Sequence, residues 1–191
     1  SIPVFPIIRP RGGAFLYNDE EYAIMQQDIK LCRELGMDGV VIGLLNRSGS
    51  VDKDRTSRLV ELAYPLDVTF HRAFDHAKDP LSALEDVIGT GCTRILTSGG
   101  ADTAMKGLTN LQQWVRAAGD RIIILPGSGI RSGNIRELAA ATGLSEFHSS
   151  ARTVLKGGME YLNEEMTEQP ETFTVDPEEV NACLQALENL S

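Results

Sequence analysis

Short apolar runs alternate with longer amphipathic stretches along most of the chain. The apolar runs, which predict strands, lie at residues 3–8, 39–43, 67–71, 94–97, 121–125 and 146–148. The stretches between them predict helices near residues 19–35, 52–63, 80–88, 108–118 and 132–141, and a last helix near 177–190. Strict alternation of strands and helices is typical of a parallel sheet covered by helices, so the chain belongs to the α/β class.

Capping residues support these boundaries. Asn18 and Glu21 form a capping-box pattern, and Asp79 and Asp176 each precede a proline at the first helical position. Glycines stand where helix C-caps are expected, at Gly36, Gly89, Gly119 and Gly143.

A closed barrel and an open doubly wound sheet both fit such an alternation. The near-constant repeat of roughly 28 residues favours a (β/α)8 TIM-type barrel. The glycines at 127, 129 and 133 do not make a dinucleotide fingerprint, because they follow the fifth run and the third glycine comes one position late. A full barrel has eight units and only six are visible. We therefore expect a single barrel domain over residues 1–191 that lacks the first two βα units, before Ser1.

Composition narrows the range of partners. The net charge of −9 disfavours nucleic acid, and no apolar run approaches the roughly 20 residues of a membrane helix. Cys32, Cys92 and Cys183 are widely spaced and form no CxxC pair. Such cysteines are typical of buried free thiols in a reducing compartment, so we expect a cytoplasmic protein.

The loops after the strands are rich in polar residues and glycine, whereas the opposite loops are plain glycine turns. In a barrel the former gather at one face and carry function. The residues predicted to bind an anion or substrate there are Arg9, Arg11, Arg72, Ser98, Gly99, Gly127, Ser128, Gly129, Ser149 and Ser150.

The last two of these loops suit a phosphate. Gly127 and Gly129 let backbone N–H groups approach a ligand, and Ser149 and Ser150 add hydroxyls that lead towards a helix start. Barrels commonly bind phosphate at this position. The alternative is that the two glycines only make a tight turn.

Strand alternation directs two histidines into the barrel mouth. Thr69 and His71 are expected inward on one strand, and Glu146 and His148 on another. With Asp75 beside them, His71 and His148 could act as a general acid and base. The alternative is a pair of hydrogen-bonded histidines that line the barrel. His76 lies past the loop and is expected at the surface.

Arginines at the mouth have two interpretations as well. Arg9, Arg11 and Arg72 could together capture a carboxylate or phosphate. Each could instead pair with a local acid, Arg72 with Asp75 and Arg11 with Asp19.

Four segments resemble the signature segments of the copper homeostasis protein CutC family: residues 9–13, 68–75, 94–100 and 146–151. The resemblance implies a cytosolic barrel, a homo-oligomer (dimer or larger) and binding of Cu(I). Two positions depart from the family pattern, Ala14 where an acid is usual and Ser128 where a glycine is usual. The family's copper-binding cysteines belong to its first two βα units, so we expect weak Cu(I) binding by these residues and assign no metal ligand.

Two functions follow. The resemblance implies a copper homeostasis or copper-ion-binding protein. The alternative from the residues is a barrel enzyme, a lyase or isomerase acting on a small phosphorylated or carboxylated metabolite, in which His71, Asp75 and His148 move protons. The expected partners are accordingly a small anionic ligand or a copper ion and further copies of the chain, with no nucleic acid and no membrane.

Overall fold

A computed structural model describes residues 2–155, 161, 163, 165 and 172–188. Its helices are α1 Asp19–Glu34, α2 Lys53–Ala63, α3 Pro80–Gly89, α4 Leu108–Ala118, α5 Ser132–Thr142 and α6 Pro177–Glu188. Its strands are β1 Gly39–Ile42, β2 Asp67–Phe70, β3 Arg94–Thr97, β4 Ile123–Pro126, β5 Arg152–Leu155 and β6 Thr172–Val175. A short 3-10 turn, Phe74–His76, lies between β2 and α3.

A parallel sheet of four strands, in the order β1-β2-β3-β4, forms the centre of the fold. Residues 3–8 extend along β1, where Ile8 N–H donates to Val41 O over 2.8 Å. Residues 146–148 lie beside β4 through the bond from His148 N–H to Pro126 O, also 2.8 Å. Five predicted runs therefore lie in order in one parallel layer, the sixth is hydrogen-bonded beside β4, and the α/β class is confirmed. The described pairings do not join the two ends of this layer.

The sheet packs its helix-facing side into the hydrophobic core. Alternate strand residues on that side are almost fully buried, namely Val40, Ile42, Val68, Phe70, Ile95 and Ile124. They meet apolar helix residues that are also fully buried, among them Met25, Ile29, Leu59, Leu84, Leu111 and Leu138. Burial of each such side chain stabilises the fold by roughly 1.5–3 kcal/mol. The opposite side of the sheet is more open, since Ile7 keeps 60% and Ile123 keeps 37% of its surface exposed.

Most predicted helix caps are present. Asn18 accepts from Glu21 N–H and the Glu21 carboxylate accepts from Asn18 N–H, which completes the capping box of α1. Gly143 ends α5 with a positive φ of 73°, a conformation that favours glycine. Gly89 is not a C-cap, because α3 includes it and the positive φ falls at Gly91.

The segment after residue 148 differs from the prediction of a helix start. Arg152–Leu155 forms a strand that pairs antiparallel with Thr172–Val175. Thr153 and Val154 are consecutive β-branched residues in this strand. They favour extended backbone, because β-branched side chains are stiff at χ1. α6 then packs on α5, where Ser132 N–H donates to Glu179 Oε1 over 2.7 Å. The last predicted helical residues, 189 and 190, lie outside the described residues.

None of the described helices combines the length and the apolar character that crossing a bilayer requires.

Candidate functional site

On one side of the site, several polar side chains contact the ring of Phe15. Phe15 lies in the loop after residues 3–8, with the Arg9 guanidinium 4.8 Å from its ring centroid. The rings of His71 and His76 lie 5.0 and 5.4 Å from it. Tyr17 follows two residues later and lies close enough to Arg9 and Arg11 for both positive charges to lower the pKa of its hydroxyl. We call Arg9, Phe15, Tyr17 and His71 the Phe15 cluster.

His71 is held tightly at the end of β2. Its backbone N–H donates to Ile42 O over 2.7 Å, and its side chain is almost fully buried, with the residue 4% exposed. A Cβ added to Gly43 would lie 2.2 Å from His71 Nδ1, so the ring fits only because residue 43 is glycine. Ala73 N–H donates to Nδ1 over 3.1 Å.

That hydrogen bond assigns the proton on the imidazole. Because Nδ1 of His71 accepts, the neutral ring carries its hydrogen on Nε2. Burial lowers the pKa of His71 to about 4, and the charge of Arg9 adds to this shift. Nε2 is buried and has no hydrogen-bond partner among the described residues. The free nitrogen of the neutral imidazole is therefore a hydrogen-bond donor, and the acid–base role of His71 stays a prediction.

Arg9 differs from the other arginines at the mouth. Arg11 pairs with Glu21 at 2.5 Å, and Arg72 pairs with Asp75 at 2.7 Å. Arg9 donates from Nη2 to Gly13 O over 2.7 Å but makes no ion pair within the described residues, and its buried Nε has no partner there. Arg9 thus contributes a positive charge that no neighbouring carboxylate neutralises.

The two local acid pairings predicted for arginines have different outcomes. The pairing of Arg72 with Asp75 is confirmed. The predicted pairing of Arg11 with Asp19 is wrong, because Arg11 forms its ion pair with Glu21 and Asp19 forms one with Arg55. Glu21 reaches back from the first turn of α1 as part of the capping box, whereas the Asp19 side chain is exposed.

Tyr17 adds a third buried polar atom to the cluster. The residue is 5% exposed, and its hydroxyl has no hydrogen-bond partner among the described residues. Burial raises the pKa of Tyr17, and the nearby charges of Arg9 and Arg11 oppose the rise. Direct contact with the Arg9 guanidinium also lowers this pKa, so the two side chains lie side by side, although the contact does not meet the strict geometry of a hydrogen bond. Phe15 and Tyr17 were missed from the sequence, although they alternate directly after the Arg-Gly-Gly segment.

A second cluster forms around Asp75. Its carboxylate accepts from Arg72 Nε at 2.7 Å, Gly100 N–H at 3.0 Å, the Ser98 hydroxyl at 3.0 Å and Ser98 N–H at 3.1 Å. The Thr97 hydroxyl donates to the same carboxylate. We call these five residues the Asp75 cluster; it ties the loop after β2 to the loop after β3.

The Asp75 cluster leaves little capacity for a ligand or a proton. Arg72 also donates to the Ser98 hydroxyl at 2.9 Å, so the predicted anion binders Arg72 and Ser98 bind the protein itself. Gly99 allows a close approach, since a Cβ there would lie 2.3 Å from Gly107 O. The proposed catalytic role of Asp75 stays a prediction, and its five donors favour a structural role.

The glycine loop after β4 is stabilised from within as well. Gly127 N–H donates to Thr97 O at 2.8 Å, and the Ser128 hydroxyl donates to Asp102 O at 2.7 Å. The Ser149 hydroxyl donates to Ile130 O at 2.7 Å, while Ser150 is exposed. Both hydroxyls therefore already serve protein carbonyls. An anion cup formed with Gly129 remains a prediction.

The two inward histidines have separate surroundings. His148 lies against Gly127, with Cδ2 3.4 Å from where a Cβ would stand, whereas His71 lies against Phe15. His148 is largely exposed, and its partial desolvation lowers its pKa. His76 is exposed, as predicted. No hydrogen bond joins His71 to His148 among the contacts of the described residues.

The described residues do not fit a Cu(I) site. Cys32, Cys92 and Cys183 are free and buried, as predicted, in α1, before β3 and in α6. Burial raises the pKa of all three thiols, that of Cys92 to about 11. Within the described residues no three His, Cys, Asp or Glu side chains group as metal ligands. Cu(I) prefers thiolates that converge, and these thiols neither ionise readily nor converge.

The fold and the site together define an α/β protein of the TIM-barrel type with polar clusters at the carboxyl ends of its parallel strands. The model of the CutC family matches residues 1–153, and the chain belongs to that family. The family resemblance seen in the four loop segments is thereby confirmed.

Relatives and solved structures agree with this assignment. The chain is 52% identical over 161 residues to a family protein CutC of Chromobacterium violaceum, covering 84% of this chain and 65% of the relative. It is 44% identical over 163 residues to the Homo sapiens copper homeostasis protein cutC homolog, covering 85% of this chain and 60% of that protein. The crystal structure of the putative copper homeostasis protein CutC of Streptococcus agalactiae matches with TM-score 0.71 and 32% identity over 74% of this chain and 70% of that one.

A more distant likeness concerns the fold alone. The structure described as native KDPGal matches 93% of this chain and 68% of that one with TM-score 0.53 and 10% identity.

Proposed function

We propose that the chain acts in copper homeostasis, as a cytoplasmic homo-oligomer that binds a small anionic ligand at the Phe15 cluster. Membership of the CutC family supports the cellular role, since relatives carry the name copper homeostasis protein. Three free buried cysteines support a reducing compartment. Exposed Ile7 on the outer edge of the sheet supports association, because unpaired edges attract further chains.

The unpaired charge of Arg9 is the main observation that supports an anionic ligand. Of the three mouth arginines only Arg9 lacks a carboxylate among the described residues, and it stands beside buried atoms that have no partner there. Arg9 is a half-buried cation whose Nε is buried, and a bound carboxylate or phosphate supplies both the opposite charge and an acceptor. The role in copper homeostasis then does not require Cu(I) to be held by the described thiols.

A thermal-shift titration with inorganic phosphate and with acetate tests the ligand. We expect each anion that binds to raise the melting temperature, since a ligand at a hundred times its Kd stabilises by about 2.7 kcal/mol. Arg9→Gln should abolish the shift. Arg116→Gln on the exposed face of α4 is the matched control, with the same loss of charge, and should retain it. Equal shifts in both variants would contradict the assignment of Arg9.

Growth under copper stress tests the cellular role. In cells whose own CutC relative has been deleted, the wild-type chain and Arg116→Gln should restore growth at raised copper, and Arg9→Gln should not. Rescue by Arg9→Gln equal to that of the wild type would contradict the link between anion binding and copper homeostasis. A competition titration with a Cu(I) chelator completes the test, with no stoichiometric copper expected on residues 1–191.

A further inference from the structure

Unsatisfied hydrogen-bonding atoms concentrate at one place in the described chain. Four buried side-chain atoms of the described residues have no hydrogen-bond partner, and three of them belong to the Phe15 cluster: Arg9 Nε, Tyr17 Oη and His71 Nε2. The fourth, Thr56 Oγ1, lies apart on α2. A buried polar group without a partner is rare in folded proteins, so three in one cluster indicate a missing common partner.

We infer that the Phe15 cluster is a donor-only site for an oxyanion, bound by Arg9 Nε–H, the Tyr17 hydroxyl and His71 Nε2–H. This inference rests on the proposed function and specifies the ligand class and the role of His71. His71 takes part as a hydrogen-bond donor and transfers no proton.

The direction of the hydrogen bonds comes from geometry. Ala73 N–H occupies Nδ1 of His71, which leaves the hydrogen on Nε2. Arginine has donors only, and a phenol beside a guanidinium offers its hydrogen outward while its lone pairs face the positive charge. The three free atoms are thus all donors, and a fully ionised carboxylate or phosphate accepts from all of them.

The same arrangement excludes cations. The uncompensated charge of Arg9 repels Cu(I) and ammonium groups, and the lone pairs of the Tyr17 hydroxyl face that charge, so they are not available to ligate a metal. Phe15, packed between Arg9 and His71, supplies an apolar wall that keeps water from the donors and strengthens their bonds to an anion. Close packing of the imidazole on Gly43, where a Cβ would lie 2.2 Å from Nδ1, supports a fixed ring position.

Tyr17→Phe tests the inference, because the hydroxyl has no hydrogen-bond partner among the residues that the structure describes. Removing it should leave the stability to urea unchanged or slightly higher, and should weaken binding of phosphate or acetate roughly ten- to a hundredfold, the range for a hydrogen bond to a charged group. Tyr22→Phe is the matched control. The Tyr22 hydroxyl donates to Arg55 O at 3.3 Å, so this variant should lose some stability and keep its affinity.

Binding is measured by titrating each variant with sodium phosphate, sodium acetate and ammonium chloride, the last at a constant chloride concentration kept with sodium chloride, and following the amide chemical shifts. Phosphate saturation without acetate saturation would identify a phosphoryl group, and the reverse a carboxylate; both support an oxyanion site. Saturation with ammonium would overturn the inference. If Tyr17→Phe binds like the wild type while Arg9→Gln does not bind, the donor-only site is wrong and the proposed function stands. If the wild type binds neither anion, both fail.

Discussion

The two clusters at the carboxyl ends of the strands each contain an arginine and differ in how their polar atoms are satisfied. In the Asp75 cluster the carboxylate accepts from five donors and its arginine is paired. In the Phe15 cluster, arginine, tyrosine and histidine each leave a buried atom without a partner among the described residues. Both clusters contain residues that their type and position in the sequence assigned to the site. Only the hydrogen bonds of the structure distinguish the two clusters.

The two clusters differ in how much a bound ligand can stabilise them. A network that satisfies itself stabilises the loops and gains little from a ligand. A network with unpaired donors sacrifices stability, at about 1–3 kcal/mol for each buried group, which a ligand can restore. The Asp75 cluster should therefore respond to mutation in stability, and the Phe15 cluster in binding.

The largest expected effect is the loss of stability in Asp75→Asn. The amide cannot accept on its nitrogen, so Arg72 and the Ser98 N–H lose an ionised partner and face donors instead. We expect a loss of about 3–4 kcal/mol in the free energy of unfolding, measured with urea. Asp120→Asn, in an exposed turn, should change it by less than about 0.5 kcal/mol. A loss in Asp75→Asn as small as that of the control would remove the contrast between the clusters.

The pH dependence of stability should come next in size. His71 has a folded pKa of about 4 against an ordinary 6.5, so the unfolded state binds more protons between these values. Stability attributable to His71 should be fully present above about pH 6.5 and fall by roughly 3 kcal/mol on acidification to about pH 4.

Urea unfolding of the wild type and His71→Gln at several pH values isolates this contribution. Arg9 lies near His71, and His76 contacts the same Phe15 ring, in both proteins, so contributions that do not come from His71 appear in both curves. The free energy of the wild type should fall more steeply than that of His71→Gln between pH 6.5 and 4. Parallel curves would show that His71 is not held neutral by burial.

Gly43→Ala should have a smaller effect on stability and a clear one on binding. The added Cβ meets Nδ1 at 2.2 Å and Cε1 at 2.3 Å of His71, so the ring must move. We expect a loss of about 2 kcal/mol, as for overpacked cores, together with loss of the anion-dependent thermal shift. Gly12→Ala has open space at the same end of the sheet and should change neither. Retained binding in Gly43→Ala would mean that the position of His71 is unimportant.

Helices and strands were predictable because their signals are local. Apolar periodicity placed the four paired strands within two residues, and the Asn18–Glu21 capping box marked the start of α1. The β5–β6 hairpin was missed because the pairing of Arg152–Leu155 with Thr172–Val175 depends on a distant partner. The two flanking runs, 3–8 and 146–148, pair too sparsely to form regular strands.

The site was predictable in location and not in its hydrogen bonds. Arg9, His71 and Asp75 were correctly assigned to the carboxyl ends of strands, but which of them has a free polar atom depends on three-dimensional contacts. The partner of Arg11 shows the same limit, because Asp19 and Glu21 are both near in the chain and only the cap geometry of α1 selects Glu21.

The most direct test of the central claim is a long-range ¹H–¹⁵N correlation spectrum of the His71 imidazole, recorded with and without inorganic phosphate or acetate at neutral pH. The spectrum should show the neutral ring with its hydrogen on Nε2, because Nδ1 accepts from Ala73. Saturating anion should move that hydrogen downfield as it forms a charge-assisted hydrogen bond. A hydrogen on Nδ1, or an Nε2–H resonance that no anion shifts, would contradict the account.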